Sequence, residues 1–245
     1  AASYNTCLGY TTGAAITTGY DNTVIGSNAG KLMTDNIGNV VIGKDAFDAA
    51  TTGESYNIVI GRNAGGAQNH ANTDGNIMIG SSAFTGGAAA NIGNIVIGDN
   101  ALDGTTTNAH TGTIAIGQQA LTGAVTGAGN TTVGYKSLNL LTSGAQNTIM
   151  GYEAGKDIRS GSSNNTAFGY AALGQTGSSV AGDGNTCIGS LSGQNIGTGG
   201  DSNHNTLVGY NSGNDITTGD YNVAIGSNAG WKITTGSSNV MLGRA

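Results

Sequence analysis

Short apolar clusters recur along this chain at a nearly constant interval, and each one ends on a glycine. In "NTVIGSNAG" the cluster is Thr23-Val24-Ile25 and the glycine is Gly26. With that glycine as a marker, equivalents stand at Gly9, Gly26, Gly43, Gly61, Gly80, Gly98, Gly117, Gly134, Gly151, Gly169, Gly189, Gly209, Gly226 and Gly243, fourteen copies spaced by 17 to 20 residues. The copies are numbered here as coils 1 to 14. The residue before the marker is always apolar, from Leu8 and Ile25 to Leu242, and the residue three before it is always β-branched, as in Thr6, Thr23, Val40, Ile58, Ile77 and Val240. These two columns share one strand face, because side chains alternate with period two. The middle column points the opposite way and is also apolar, Thr132 excepted. A strand that is apolar on both faces predicts a parallel sheet covered on both sides.

One strand and one glycine turn in each coil predict an all-β fold: a parallel β-roll, or β-solenoid, of about 14 coils, with residues 1–245 forming a single continuous repeat domain. Seven residues after the marker, Ile16, Met33, Ala50, Leu141, Ile158, Ile216 and Ile233 predict a second, shorter inward strand. "TTG" turns follow, as at Thr17-Thr18-Gly19. Length varies between that turn and the next cluster, so the insertions read as surface loops on one edge. The chain opens and closes inside the repeat without a polar capping unit, which predicts a segment of a longer fibre, continued covalently or stacked end to end. At about 4.8 Å per coil, the rod would be roughly 65 Å long.

Four residues before the marker stands Asn5, Asn22, Asn39, Asn57, Asn76, Asn94, Asn130, Asn147, Asn165, Asn185, Asn205, Asn222 or Asn239, and coil 7 alone differs, with Thr113. An amide at the same turn position in every coil can bond the amides above and below, which predicts a structural ladder rather than a catalytic row. The middle strand column raises a different question, since so thin a roll has little interior. Val24, Val41, Val59, Met78, Val96, Ile149, Leu207 and Met241 therefore read as facing another copy of the chain, in a cyclic oligomer.

Composition narrows the function. Only 9% of residues are charged and 5% aromatic, 45 are Gly and none is Pro, yet 37% are hydrophobic, enough for a packed β structure. No apolar run is long enough to span a bilayer as a helix. The opening "AASYNTCLGY" has neither an initiator Met nor a basic-then-apolar leader, which reads as a mature or excised product. A net charge of -6 with eight scattered Lys and Arg argues against nucleic acid.

Candidate chemistry is sparse. His70, His110 and His204 read as solvated loop residues without ligand-like spacing. Cys7 and Cys187 share a strand column ten coils apart, too far for a disulfide, and read as buried free thiols. Asp74, Asp183, Asp201 and Asp220 lie beside or near Gly in loops, where turn chemistry outweighs a calcium site. No nucleophile elbow, phosphate loop or carboxylate pair stands out, so no enzyme, cofactor or metal is expected. Tyr135, Tyr152 and Tyr170 follow the marker in consecutive coils and form a candidate partner-binding row, with self-stacking the favoured reading.

The pattern Asn-Thr/Val-x-Ile-Gly-x-x-Ala, as in "NTVIGSNAG", "NVVIGKDAF", "NIVIGRNAGG" and "NVAIGSNAG", resembles the head repeats of YadA-like trimeric autotransporter adhesins. The variants "NTIMGYEAG", "NTAFGYAAL" and "NTLVGYNSG" resemble the repeats of tail-fibre-domain proteins of bacteriophages and bacteria. The coils here are several residues longer than the adhesin repeat. The resemblance implies a left-handed roll, a homotrimer and an extracellular location, on a virion tail fibre or a cell surface. The leading expectation is a structural fibre segment that supports attachment to a host or surface. The alternatives are an adhesive head that binds a receptor or glycan through the loops Gly66 to Asp74 and Gly174 to Gly184, and, more distantly, an ice-binding solenoid, disfavoured because the Thr column alternates with Ile and Val and reads as inward, while the paired threonines of "TTG" point to opposite sides.

Overall fold

The computed structural model describes residues 2–87, 89–104, 108–123, 126–174 and 182–245. The chain is an all-β parallel β-solenoid built of two compact units, Ala1–Gly129 and Asn130–Ala245, and each is described by itself. The first unit holds the marker strands Thr6–Leu8, Thr23–Ile25, Val40–Ile42, Ile58–Ile60, Ile77–Ile79, Ile95–Ile97 and Ile114–Ile116. The second holds Thr131–Val133, Thr148–Met150, Thr166–Phe168, Thr186–Ile188, Thr206–Val208, Val223–Ile225 and Val240–Leu242. Within each unit every strand pairs in parallel with the next, in the register of the repeat: Val41 lies opposite Val59, and Ile149 opposite Ala167. A second, two-residue ladder joins Asn91–Ile92 to His110–Thr111.

The marker glycines explain their own recurrence. Gly80 has φ +137°, and a Cβ there would collide with the backbone of Gly98 in the next coil. Gly151 is placed in the same way against Gly169. Only a residue without a side chain lets consecutive coils approach at the strand spacing here. Three further positions per coil sit in the left-handed region without needing glycine: five before the marker (Asp21, Tyr56, Asn164), two after it (Asn28, Glu153) and four after it (Phe47, Leu138). That conformation is unfavourable for a bulky residue. It is held because each such turn is bonded to a neighbouring coil: Tyr56 N–H donates back to the Ile37 carbonyl at 2.8 Å and Glu153 N–H to that of Tyr135 at 2.9 Å, while Phe47 N–H donates forward to the Ala64 carbonyl at 2.9 Å and Leu138 N–H to that of Ala154 at 2.9 Å.

The interior reverses one reading of the sequence. Val24, Val41, Val59, Met78, Val96, Ile149 and Leu207 are wholly buried within the single chain, and Met241 in the last coil is half-buried. They pack inside their own coil and do not face a partner. The coil closes over the middle column, where it meets the small residues three after the marker, Ala29, Ala46 and Ala64 among them, and buried side chains seven after it such as Met33, Leu141 and Ile158. The two flanking columns are therefore the outward ones, as the half-buried, buried, half-buried pattern of Val40–Ile42 records. The residues seven after the marker point inward as expected but form no strand in the described coils; they lie in turns and extended connections.

Candidate functional site

The ladder asparagines inside each unit share one bonding pattern. Asn76 donates from Nδ2 to Asn57 Oδ1 at 2.9 Å and to the Asn91 carbonyl at 2.7 Å, and its Oδ1 accepts from Asn94 N–H at 3.0 Å and Asn94 Nδ2 at 2.9 Å. The chain of amides runs Asn5, Asn22, Asn39, Asn57, Asn76, Asn94 in the first unit and Asn130, Asn147, Asn165, Asn185, Asn205, Asn222, Asn239 in the second. Thr113 N–H still bonds Asn94 Oδ1 at 2.9 Å, but the Thr113 hydroxyl is buried without a partner. Within each unit the ladder is a row of amides bonded from coil to coil and buried along most of its length.

A second ladder escaped the sequence reading. Six residues before the marker, a polar side chain caps the backbone N–H of the same position in the preceding coil. Asp74 Oδ1 takes Ser55 N–H at 2.8 Å, Asp183 Oδ1 takes Ser163 N–H at 2.7 Å, Asn203 Oδ1 takes Asp183 N–H at 2.8 Å and Asp220 Oδ1 takes Asn203 N–H at 2.6 Å. Where the position is Tyr20 or Ile37, parallel backbone bridges replace the side-chain cap. The recurrence of Ser, Asp and Asn at this position was the available signal. It explains Asp74, Asp183 and Asp220 as inter-coil caps. Among the described residues no three His, Cys, Asp or Glu side chains group as a metal site.

The interior of the first unit carries polar groups that read as loop residues in the sequence. Glu54 is buried, and its carboxylate accepts from Asn36 Nδ2 at 2.6 Å and from Thr51 N–H. Burial pushes its pKa up against those bonds. Gln68, within the expected contact loop, is buried and bonds Asn91 Nδ2 at 2.7 Å. His110 is also buried, edge-on to Phe84 at 5.8 Å, with neither ring nitrogen hydrogen-bonded. Burial pushes its pKa down to about 4, so it is a neutral core residue and not a solvated one. His70 is half-buried, and His204 is exposed and stacks on Tyr221 at 5.2 Å. Cys187 is buried, its pKa pushed up to about 12, whereas Cys7 in the first coil is exposed and not buried as expected. Of the second expected contact loop, residues 175–181 lie outside the described residues.

Two surface features recur from coil to coil, the first in each unit and the second in the second unit. The outward strand columns carry only Thr, Val, Ile, Leu, Met and Phe in every coil. Many of these stay partly exposed, such as Ile58 at 37% and Ile225 at 42%. The Thr column belongs to this outward face, which overturns its inward reading, one of the grounds that disfavour ice binding. Beside that face runs the turn row. Tyr135 and Tyr152 stack with ring centroids 5.0 Å apart and planes at 29°, and Tyr152 and Tyr170 at 5.8 Å and 18°. The rings turn their faces to one another, so a partner cannot stack within the row.

Comparison with protein-family models, with curated proteins and with solved structures found no match. No helix among the described residues is long and apolar enough to cross a membrane.

Proposed function

We propose that the chain is a structural fibre segment, a shaft of stacked coils whose outward strand face is covered by further copies of itself, three in the assembly that the repeat resemblance implies. In this reading it supports attachment to a host or surface from outside the cell, on a virion or a cell-surface appendage. One observation carries the proposal: within each unit the two outward columns present an apolar and Thr strip without one charged side chain. Monomeric proteins rarely leave so continuous a strip uncovered. The corresponding experiment is light scattering on the purified chain. A mass near three times 24.1 kDa is expected, and Ile79→Lys should lower it; a wild-type monomer would end the proposal.

A second reading rests on the outward Thr column. Thr131, Thr148, Thr166, Thr186 and Thr206 stand in register, about 4.8 Å apart, each two residues from an outward apolar side chain. A regular array of hydroxyl and methyl groups left open to solvent is a surface that can order water into an ice-like layer. The same face cannot serve both purposes. Thermal hysteresis from a monomeric chain would favour ice binding, and its absence in a trimer would favour the shaft.

A further inference from the structure

Nine tyrosines are spread along the chain, and three of them form the stacked row Tyr135, Tyr152 and Tyr170. Their positions fall in register because the next residue of each coil bonds back to the row: Glu153 N–H donates to the Tyr135 carbonyl at 2.9 Å and Ala171 N–H to that of Tyr152 at 3.0 Å. Ring centroids at 5.0 and 5.8 Å, with planes at 29° and 18°, are offset stacks, in which ring carbons meet at about 3.5–4.0 Å. The row is also open to reagents from solvent. Tyr152 and Tyr170 are exposed and Tyr135 is half-buried.

The other six tyrosines lack such a neighbour. Tyr10 and Tyr210 occupy the same turn position, but the adjoining coils carry Ser27, Ser190 and Ser227 there. Tyr221 stacks on His204, and the Tyr56 ring lies over Gly38, where an added Cβ would meet a ring carbon at 2.9 Å. The coil beside Tyr4 places Asp21 at that position, and Tyr20 is bridged to Ser3 and Ile37. Among the described residues no tyrosine outside the row stacks on another. Tyr4 and Tyr10 are nonetheless 86% and 77% exposed, so accessibility and pairing are separated within one molecule.

We propose that the row is a site of oxidative modification, where hydrogen peroxide acting through a haem peroxidase joins Tyr152 to Tyr135 or to Tyr170 as dityrosine. Each of the two phenols gives up one electron and one proton, and the peroxide takes up both pairs to become two waters. The two phenoxyl radicals then form one bond between ring carbons ortho to oxygen. The hydrogens displaced from those carbons return to the oxygens, so the product is two joined phenols, lighter by two hydrogen atoms. Stacking holds the reacting rings at contact, which makes the coupling intramolecular and faster than encounter between chains. The bond joins one coil covalently to the next. The inference goes beyond the shaft reading and does not depend on it, because the link lies within one chain. An oligomer without the link would sink the modification site alone, and a linked monomer would sink the shaft alone.

The test is to treat the purified chain with a haem peroxidase and hydrogen peroxide and to read dityrosine fluorescence, denaturing electrophoresis and peptide masses. Wild-type protein should gain the fluorescence, still run as a single chain and release a linked peptide pair that contains Tyr152. The yield should hold when the protein is diluted about tenfold, because the coupling needs no second chain. Tyr152→Phe keeps the stacked ring without its phenol and should remove nearly all of the signal within the chain, whereas Tyr210→Phe should leave it unchanged. Ser190→Tyr sets a ring beside Tyr170 and should extend the links to coil 11. The proposal is overturned by the absence of a linked peptide, by links that only join one chain to another, by a signal that survives Tyr152→Phe, or by Ser190→Tyr adding no link.

Discussion

The two units share one backbone plan and spend their side chains differently. In the first, the outward strand pairs of coils 3 to 7 are Val or Ile with Ile, and the adjoining turn row includes Lys44, Arg62 and Asp99. In the second, coils 8 to 12 pair Thr with Val, Met, Phe or Ile, and the turn row carries tyrosines. The interiors differ in the same sense. The first unit buries Glu54, Gln68, Asn91 and His110, and the second is filled by groups such as Leu141, Ile158, Ile196 and Leu207, with small hydroxyls at Ser162 and Ser202. The difference teaches that the marker glycine and the ladder amide define the coil, while the remaining positions are free to specialise.

The strongest way to break that comparison is to remove a ladder amide from each unit. Asn76→Ala and Asn165→Ala each delete four hydrogen bonds and leave the next coil's buried N–H and amide without their acceptor. At roughly 1–3 kcal/mol for each buried group left unpaired, the cost should be about 3–5 kcal/mol in either unit. Denaturant unfolding read by hydrogen exchange in each unit checks this. Unequal costs would mean that the ladder is not the shared element.

Acid should separate the units next. The pKa of His110 falls from 6.5 to about 4 on burial, so the unfolded chain takes up the proton first as pH drops. Its contribution is complete above pH 6.5 and is lost as pH falls toward 4, by about 3 kcal/mol in all. Glu54 acts in the opposite sense: with its folded pKa raised, the folded chain holds the proton longer, and acidification relieves a buried charge. Hydrogen exchange at pH 7 and pH 4.5 should show the first unit loosening and the second holding. His110→Phe should abolish the loss; a variant that loosens as much as the wild type would place the acid-sensitive group elsewhere.

The repeat, its register and the asparagine column were legible because each depends on identity at a fixed spacing. The direction of the strand faces was not. Val24 and Ile25 are both apolar, and alternation alone says that they oppose one another, not which of them the coil encloses. That is settled by where the chain turns back, through left-handed turns at residues such as Phe47 and Leu138 that no propensity would place there. His110 was misread for a related reason. It lies in a length-variable stretch, and such stretches usually run outside, but here part of the insertion pairs as a short strand and folds the ring inward.

The smallest effect sharpens the surface half of the comparison. Tyr152 stacks on rings to either side, and an aromatic pair contributes about 0.5–1.5 kcal/mol beyond its burial. Tyr152→Ala should therefore cost about 1–2 kcal/mol. Arg62→Ala, in the same turn row of the first unit, removes an exposed side chain and should stay within about 0.5 kcal/mol. Thermal melting at two protein concentrations distinguishes stacking within one chain from burial between copies. If the Tyr152→Ala cost is independent of concentration, the row stabilises its own coils and stays open to solvent. If the cost grows with concentration, the tyrosines belong to the interface, and the second unit associates through its turns as well as its strands.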